Sequence, residues 1–150
     1  MKLKHYICGF IIILFDQISK FFIIDKQIQI IPNILNLTFT KNSGAAFGIS
    51  NNDVVLPVSI IIIITIIIFL ILQREQTTNP MPYILILAGS IGNLIDRFFR
   101  GYVIDFININ FINFPNFNIA DISIVIGFFY LIYIIIFKMN SKKYKNQMTN

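Results

Sequence analysis

Four stretches of the chain are almost continuously apolar, and each is close to the length that crosses a lipid bilayer. A helix rises 1.5 Å per residue, so about 20 residues span the hydrocarbon core. Backbone groups in lipid must bond internally, which predicts helix even for isoleucine-rich segments. The predicted spans are residues 6–24, 54–72, 83–99 and 119–137.

The links after the first and third spans alternate between apolar and polar residues. The alternation covers residues 27–30, 37–40 and 107–111, and a period of two is typical of a strand. Asn42-Ser43-Gly44 is a turn signal at the end of the first alternating region. We therefore expect a small sheet or interfacial platform on the membrane surface, with a floppy amphipathic loop as the alternative.

Composition supports a membrane protein. The chain is 56% hydrophobic and 13% charged, whereas soluble domains carry about 25% charged residues. Its 150 residues suit a single integral membrane domain. The net charge of +5 lies mainly near the chain ends, which predicts a membrane topology and not nucleic-acid binding. Cys8 is the only cysteine, so we expect it to pack within the first span.

The distribution of basic residues predicts the orientation. With four spans, the side that receives Lys26, Lys41 and Arg100 also receives Asp25 and Asp53. The opposite side is richer in lysine and should be cytoplasmic, with both termini inside. Its basic residues are Lys2, Lys4, Arg74, Lys138, Lys142, Lys143 and Lys145.

Several ionisable residues then fall at the outer boundary of the membrane. Asp16 is in the outer half of the first span, Asp96 near the outer end of the third, and Asp121 in the first turn of the fourth. Asp105 lies in the outer link. Ionisable groups at membrane depth are costly and indicate a functional site.

Structural roles also account for some of these charges. Asp16 and Lys20 are four residues apart in the favourable order and could form an ion pair that holds the first span. Asp96 could pair with Arg100 by the same spacing, or with Arg97.

The other two carboxylates differ in their surroundings. Asn118 suits a helix N-cap, and the helix dipole then favours a negative charge on Asp121. Asp105 lies within an apolar run, where desolvation favours the neutral acid unless Arg97 lies beside it and reverses the assignment. One ionised and one protonated carboxylate are the apparatus of an aspartic protease, in which the first activates water and the second polarises a carbonyl.

Other hydrolase mechanisms lack their residues. The chain has no His-Glu-x-x-His metal helix and no Gly-x-Ser-x-Gly turn, and its one histidine, His5, is on the cytoplasmic side. The Ser19/Lys20 and Ser43/Lys41 pairs are not spaced to meet on one helix face. We therefore expect neither a metal nor a cofactor.

The sequence resembles bacterial lipoprotein signal peptidase, signal peptidase II, over four blocks that come in that family's order. The blocks are Asp16-Gln17-Ile18-Ser19-Lys20, Asn42-Ser43-Gly44-Ala45-Ala46-Phe47-Gly48, Gly92-Asn93-Leu94-Ile95-Asp96-Arg97 running on to Gly101-Tyr102-Val103-Ile104-Asp105-Phe106, and Phe117-Asn118-Ile119-Ala120-Asp121.

The resemblance implies an all-α membrane protein of four transmembrane helices with a small extracytoplasmic β cradle. It implies cleavage of a prolipoprotein before a diacylglyceryl-modified cysteine at the outer face. Asp105 and Asp121 would be the catalytic pair, and Asn42 and Arg97 would contact substrate or hold the pair. The supporting residues would be Asp16, Lys20, Asn93, Asp96 and Asn118. The expected partners are prolipoprotein substrates and membrane lipid, and we expect a monomer.

One feature departs from the family's pattern. Family members often carry tryptophan near the outer interface, and this chain has none. Phenylalanines would have to serve as the interfacial aromatic residues, namely Phe106, Phe111, Phe114 and Phe117.

Two alternatives remain open on the residues alone. A four-span protein with buried carboxylates could be a small transporter or a proton-coupled assembly factor, although such proteins place polar residues along a path at mid-membrane depth. An intramembrane aspartic protease with other substrates is the second alternative, but the Gly-x-Gly-Asp signature of that class is absent.

Overall fold

The computed structural model describes residues 3–44, 60, 64 and 79–148. Three helices and a three-stranded sheet lie in these ranges. In chain order the elements are α1 (Leu3–Ile23), β1 (Gln27–Ile31), β2 (Leu35–Asn42), α2 (Met81–Arg100), β3 (Val103–Ile109) and α3 (Ile119–Met148).

Two helical stretches among the described residues are long and apolar enough to cross a membrane, Leu3–Ile23 and Ile119–Ile136. They overlap the first and fourth predicted spans. The second predicted span, residues 54–72, lies outside the described residues except for Ile60 and Ile64, whose backbone is helical. Four helices were expected, and the structure describes three.

Helix α2 overlaps the third predicted span but is less uniformly apolar, because Asn93, Asp96 and Arg97 occupy its last two turns. It begins one residue before Pro82, within what was expected to be the inner link. Proline is tolerated in the first turn, where its missing N–H has no intrahelical partner. Gly101 ends the helix in the left-handed region at φ 78° and donates its N–H to the Arg97 carbonyl at 3.1 Å.

Helix α3 continues to Met148 and so exceeds the expected span, which ended at residue 137. The backbone of the basic tail from Lys138 is helical through residue 148. Nothing interrupts the helical backbone there because residues 138–148 contain neither proline nor glycine.

The predicted cradle is confirmed as a small antiparallel sheet with the strand order β1-β2-β3. The first two strands contain the predicted alternating segments. Strand β3 begins at Val103, earlier than the alternation at Ile107 predicted. Residues 103–106 are all buried, and a strand covered on both faces is a continuous apolar run without alternation. Because β3 begins this early, it reaches the end of β2, where Thr40 pairs with Asp105 and Asn42 with Val103.

Small residues let the three helices approach closely on the side where the polar groups lie. A Cβ atom at Gly92 would meet Asp16 Oδ2 at 2.7 Å, and one at Gly89 would clash with the Ala120 carbonyl. Ser123 on α3 donates from its hydroxyl to the Leu85 carbonyl at 2.8 Å. Near the middle of α2, Gly92 packs against α1 and Gly89 against α3, and Ser123 joins α3 to the first part of α2.

Most large apolar side chains of the helices point outward. Phe10, Phe21 and Phe129 are each more than 60% exposed, which suits contact with lipid and not with water. The apolar core instead lies between the sheet and the helix ends. Ile23, Ile104 and Phe106 form its centre, so Asp105 is flanked by core residues on both sides.

Candidate active site

Lys20 is the centre of a buried polar cluster that joins α1 to α2. Its side chain is 0% exposed, and its ammonium lies 2.8 Å from Asp16 Oδ2 and 2.9 Å from Asp96 Oδ2. It also donates to the Asn93 amide oxygen at 3.0 Å. A lysine ammonium has three N–H donors, so three acceptors satisfy it. The expected Asp16–Lys20 pair is present, and Asp96 shares the same cation.

The two carboxylates around Lys20 have further donors. Asp16 Oδ1 accepts from the backbone N–H of Ala120 at 2.9 Å, which ties α1 to the first turn of α3. Asp96 Oδ2 accepts from the backbone N–H of Ile104 at 3.1 Å, which ties α2 to β3. Asp96 also pairs with Arg100. Of the two partners considered for Asp96, the structure therefore places Arg100 there.

Gln17 belongs to this cluster and was not singled out from the sequence. Its amide nitrogen donates to the Gly92 carbonyl at 3.0 Å and to Asp16 Oδ2 at 3.1 Å. Its amide oxygen accepts from Arg100 at 3.3 Å. The sequence feature that could have identified Gln17 is its position within an apolar span. A buried amide without hydrogen-bond partners is costly, so a glutamine there predicts partners on neighbouring elements.

Asn118 and Asp121 form a reciprocal cap at the start of α3. The Asn118 side-chain oxygen accepts from the Asp121 backbone N–H at 2.9 Å, and Asp121 Oδ2 accepts from the Asn118 backbone N–H at 3.1 Å. This arrangement has the geometry of a capping box. The expected N-cap is present, and it orients the Asp121 carboxylate.

Asn93 connects the buried lysine to this cap. Its amide nitrogen donates to Asp121 Oδ1 at 2.7 Å, while its oxygen accepts from Lys20. The Asn118 side-chain amide donates to the same Asn93 oxygen at 3.1 Å. A continuous set of hydrogen bonds therefore runs from Lys20 to Asp121.

Asp105 lies on β3 and is 3% exposed. Its two oxygens accept from Asn118 Nδ2 and from Asn42 Nδ2, each at 2.7 Å. Burial raises the pKa of Asp105 from 3.8 to about 6, and the Asn42 hydrogen bond opposes that shift while the Asp121 charge adds to it. Asn118 thus contacts both carboxylates of the expected catalytic pair, through its side chain at Asp105 and its backbone at Asp121.

Arg97 occupies a different position from the other expected residues. It is partly buried on α2, and its charge interacts with Asp121, Asp105 and Asp96. Among the described residues its guanidinium has no ion pair within 4 Å. The Arg97 guanidinium thus lies close enough to interact with the charges of Asp105 and Asp121, but it forms no salt bridge with either. Its expected contact with substrate stays a prediction.

The arrangement can perform acid–base chemistry on a water molecule. Two carboxylates share one amide neighbour, and the more deeply buried carboxylate has a raised proton affinity. Within the described ranges no group of three or more His, Cys, Asp or Glu side chains is arranged to hold a metal ion. Asp105 and Asp121 are the two carboxylates in this arrangement that could exchange a proton with a bound water.

Comparison with known proteins identifies relatives over most of the chain. A model of the family described as signal peptidase (SPase) II matches residues 8–137. The lipoprotein signal peptidase of Staphylococcus haemolyticus is 35% identical and covers 95% of this chain and 100% of its own length. That of Staphylococcus epidermidis is 39% identical over 88% of this chain and 91% of its own. A solved bacterial membrane enzyme has a TM-score of 0.79 and 35% identity, covering 93% of this chain and 91% of its own.

Removal of the buried ammonium should destabilise the protein strongly. Lys20→Met keeps the side-chain volume but leaves Asp16 and Asp96 without their shared cation, and we expect a loss of about 3–5 kcal/mol in unfolding free energy. Denaturant unfolding in detergent, followed by circular dichroism, measures the loss. Lys26→Met, at an exposed lysine, is the matched control. Equal stability of the two variants would contradict the role of Lys20.

The protonation of Asp105 should be visible by infrared spectroscopy. We expect a protonated-carboxyl band that is absent in Asp105→Asn and disappears as the pH rises through about 6. Asn42→Ala removes a donor that stabilises the carboxylate, so the pKa of Asp105 should rise further, by about one unit. A midpoint that stays in place or falls in Asn42→Ala would show that this hydrogen bond does not stabilise the ionised acid.

Proposed function

The chain belongs to the signal peptidase II family, and we propose that it removes signal peptides from lipoprotein precursors by cleaving before a diacylglyceryl-modified cysteine. The observation that carries the proposal is the convergence of two carboxylates, Asp105 and Asp121, on the Asn118 side chain and its backbone N–H. The two acids come from β3 and α3, so these two elements must pack together before the acids meet.

In the proposed reaction Asp121 takes a proton from water while protonated Asp105 polarises the peptide carbonyl. The helix N-terminus and two fixed donors favour negative charge at Asp121. Burial among apolar residues favours the neutral form of Asp105 and raises its pKa. The attacking water thus loses its proton to Asp121, and the carbonyl oxygen receives a hydrogen bond from Asp105 as negative charge develops on it.

The remaining expected residues support this pair in the proposal. Asn42 holds Asp105 through its amide, whose oxygen in turn accepts from the Gly44 N–H at 3.1 Å. Arg97 supplies positive charge near both acids, and no described residue forms an ion pair with it, so in the proposal its guanidinium meets a substrate carbonyl.

We propose that the site faces the outside of the cytoplasmic membrane, with both termini inside. The excess of lysine and arginine near the chain ends supports this orientation. The exposed apolar surface of α1 and α3 supports contact with lipid, through which a lipid-modified substrate could approach laterally.

The sheet carries an uncharged apolar tip, defined by Ile31, Ile34, Phe111, Ile112 and Phe114, which we propose contacts the bilayer surface. All five side chains are at least 44% exposed. A hydrogen bond from the Asn110 N–H to the Ile34 carbonyl at 2.9 Å joins the two loops that carry them. Residues 27–40 and 106–120 contain no charged side chain, which suits an interface and would be unusual for a surface in water.

Each proposed catalytic acid can be tested by a substitution that retains shape. Asp105→Asn and Asp121→Asn should each reduce cleavage of a lipidated precursor at least about 100-fold, because the amide cannot exchange a proton in the reaction. Purified protein in detergent, with a gel-shift or mass-spectrometric assay, measures the cleavage.

Asp25→Asn is the matched control for these variants. Asp25 is exposed and has a positive φ of 57°, which asparagine also tolerates. The Asp25→Asn variant should cleave the lipidated precursor as fast as the parent. Near-parental cleavage by either Asp105→Asn or Asp121→Asn would remove that residue from the proposed mechanism, and an unlipidated precursor should remain uncut by the parent.

The apolar tip can be probed with a single tryptophan because the chain has none. In bilayers, Phe111→Trp should fluoresce at short wavelength and be quenched by brominated lipid. Phe10→Trp, on the exposed face of α1, provides the lipid-embedded reference. If iodide in the water quenched Phe111→Trp fully while brominated lipid had no effect, the tip would not contact the bilayer.

A further inference from the structure

The orientation of the Asn93 amide decides which kind of hydrogen bond Asp121 receives. We propose that Lys20 is a positioning residue that acts through Asn93, and that it holds the Asn93 N–H donor toward Asp121. This inference rests on the proposed function, in which Asp121 accepts the proton from water. It assigns Lys20 a part in the chemistry in addition to its part in stability.

Lys20 can only donate hydrogen bonds, so whatever faces it must accept them. Its position is itself restrained, because it is fully buried and pairs with Asp16 and Asp96 from two different helices. The atom of Asn93 at 3.0 Å from its ammonium must therefore be the amide oxygen. This leaves the amide nitrogen facing Asp121 Oδ1 at 2.7 Å.

Asn118 enforces the same orientation from another side. Its amide nitrogen lies 3.1 Å from the same Asn93 oxygen. The Asn118 amide cannot turn over freely, because its own oxygen accepts from the Asp121 backbone N–H. A reversed Asn93 would direct its N–H groups at two donors and its oxygen at a carboxylate, which leaves buried polar groups unpaired.

Asp121 consequently receives a donor at each oxygen, one from Asn93 and one from the Asn118 backbone. Donors that cannot reverse stabilise the ionised form of the acid, which is the form that can accept a proton. The charged groups around this position come from three elements: Asp16 and Lys20 from α1, Asp96 and Arg97 from α2, and Asp105 from β3. The Asn93 amide carries the effect of Lys20 to Asp121 without a direct ion pair.

Asn93→Asp provides the sharpest test, since it keeps an acceptor for Lys20 but removes the donor to Asp121. Two facing carboxylates would then share a proton, so the base would be free only at higher pH. We expect the acid limb of the pH profile of kcat/KM to move upward by about one to two pH units. Lys26→Gln makes the net charge more negative by the same one unit at an exposed site and should keep the parental profile.

A double-mutant cycle tests whether Lys20 acts through Asn93. Lys20→Met should lower kcat in the parent but cause little further loss in an Asn93→Ala background, because the residue that transmits its effect is already gone. Additive losses would assign Lys20 a purely structural role. If Lys20→Met does not fold, the Asn93→Asp profile decides alone, and an unmoved acid limb in that variant overturns the inference.

The parent and Asp121→Asn, measured alongside, separate this inference from the proposed function. A parent that does not cleave lipidated precursor, or an active Asp121→Asn, would contradict the function itself. A parent that cleaves and depends on Asp121, with Asn93→Asp retaining the parental pH profile, would contradict only the role of Lys20 and Asn93.

Discussion

The buried ammonium of Lys20 is the constraint on which the rest of the site depends. A cation without contact to water must be surrounded by acceptors. Here two carboxylates and an amide oxygen surround it. Each acceptor then needs its remaining lone pairs satisfied, and the donors come from α3, β3 and Arg100. One charge on the first helix thereby determines how the other elements meet.

The backbone around this charge provides the space and the remaining donors. Gly89 and Gly92 lack side chains where α2 contacts α3 and Asp16, respectively. The N–H groups of Ile104 and Ala120 then bond buried carboxylates, since β3 and the first turn of α3 lie against the helix ends. The hydrogen bonds of the buried carboxylates therefore depend on the same close backbone packing that joins the elements. A larger residue at Gly92 would displace the Asp16 carboxylate and also separate the helices.

Patterns along the sequence predicted much of this arrangement. The period of two predicted β1 and β2, the spacing of Asp16 and Lys20 predicted their ion pair, and Asn118 before an apolar span predicted a cap. The beginning of β3 was missed because a strand buried on both faces shows no alternation. The sharing of Lys20 by Asp96, and the several bonds of Gln17, depend on how α1 and α2 rotate against each other, which spacing within one helix does not determine.

In the proposed mechanism, the reciprocal cap between Asn118 and Asp121 links catalysis to the local order of the backbone. Helix ends fray more readily than helix centres, and here the first turn of α3 contains one acid and orients the other. Opening of that single turn would separate the carboxylates while the rest of the helix remained intact. In the proposed mechanism, the fraction of molecules in which this turn is closed is therefore an upper limit on the fraction able to react at any moment.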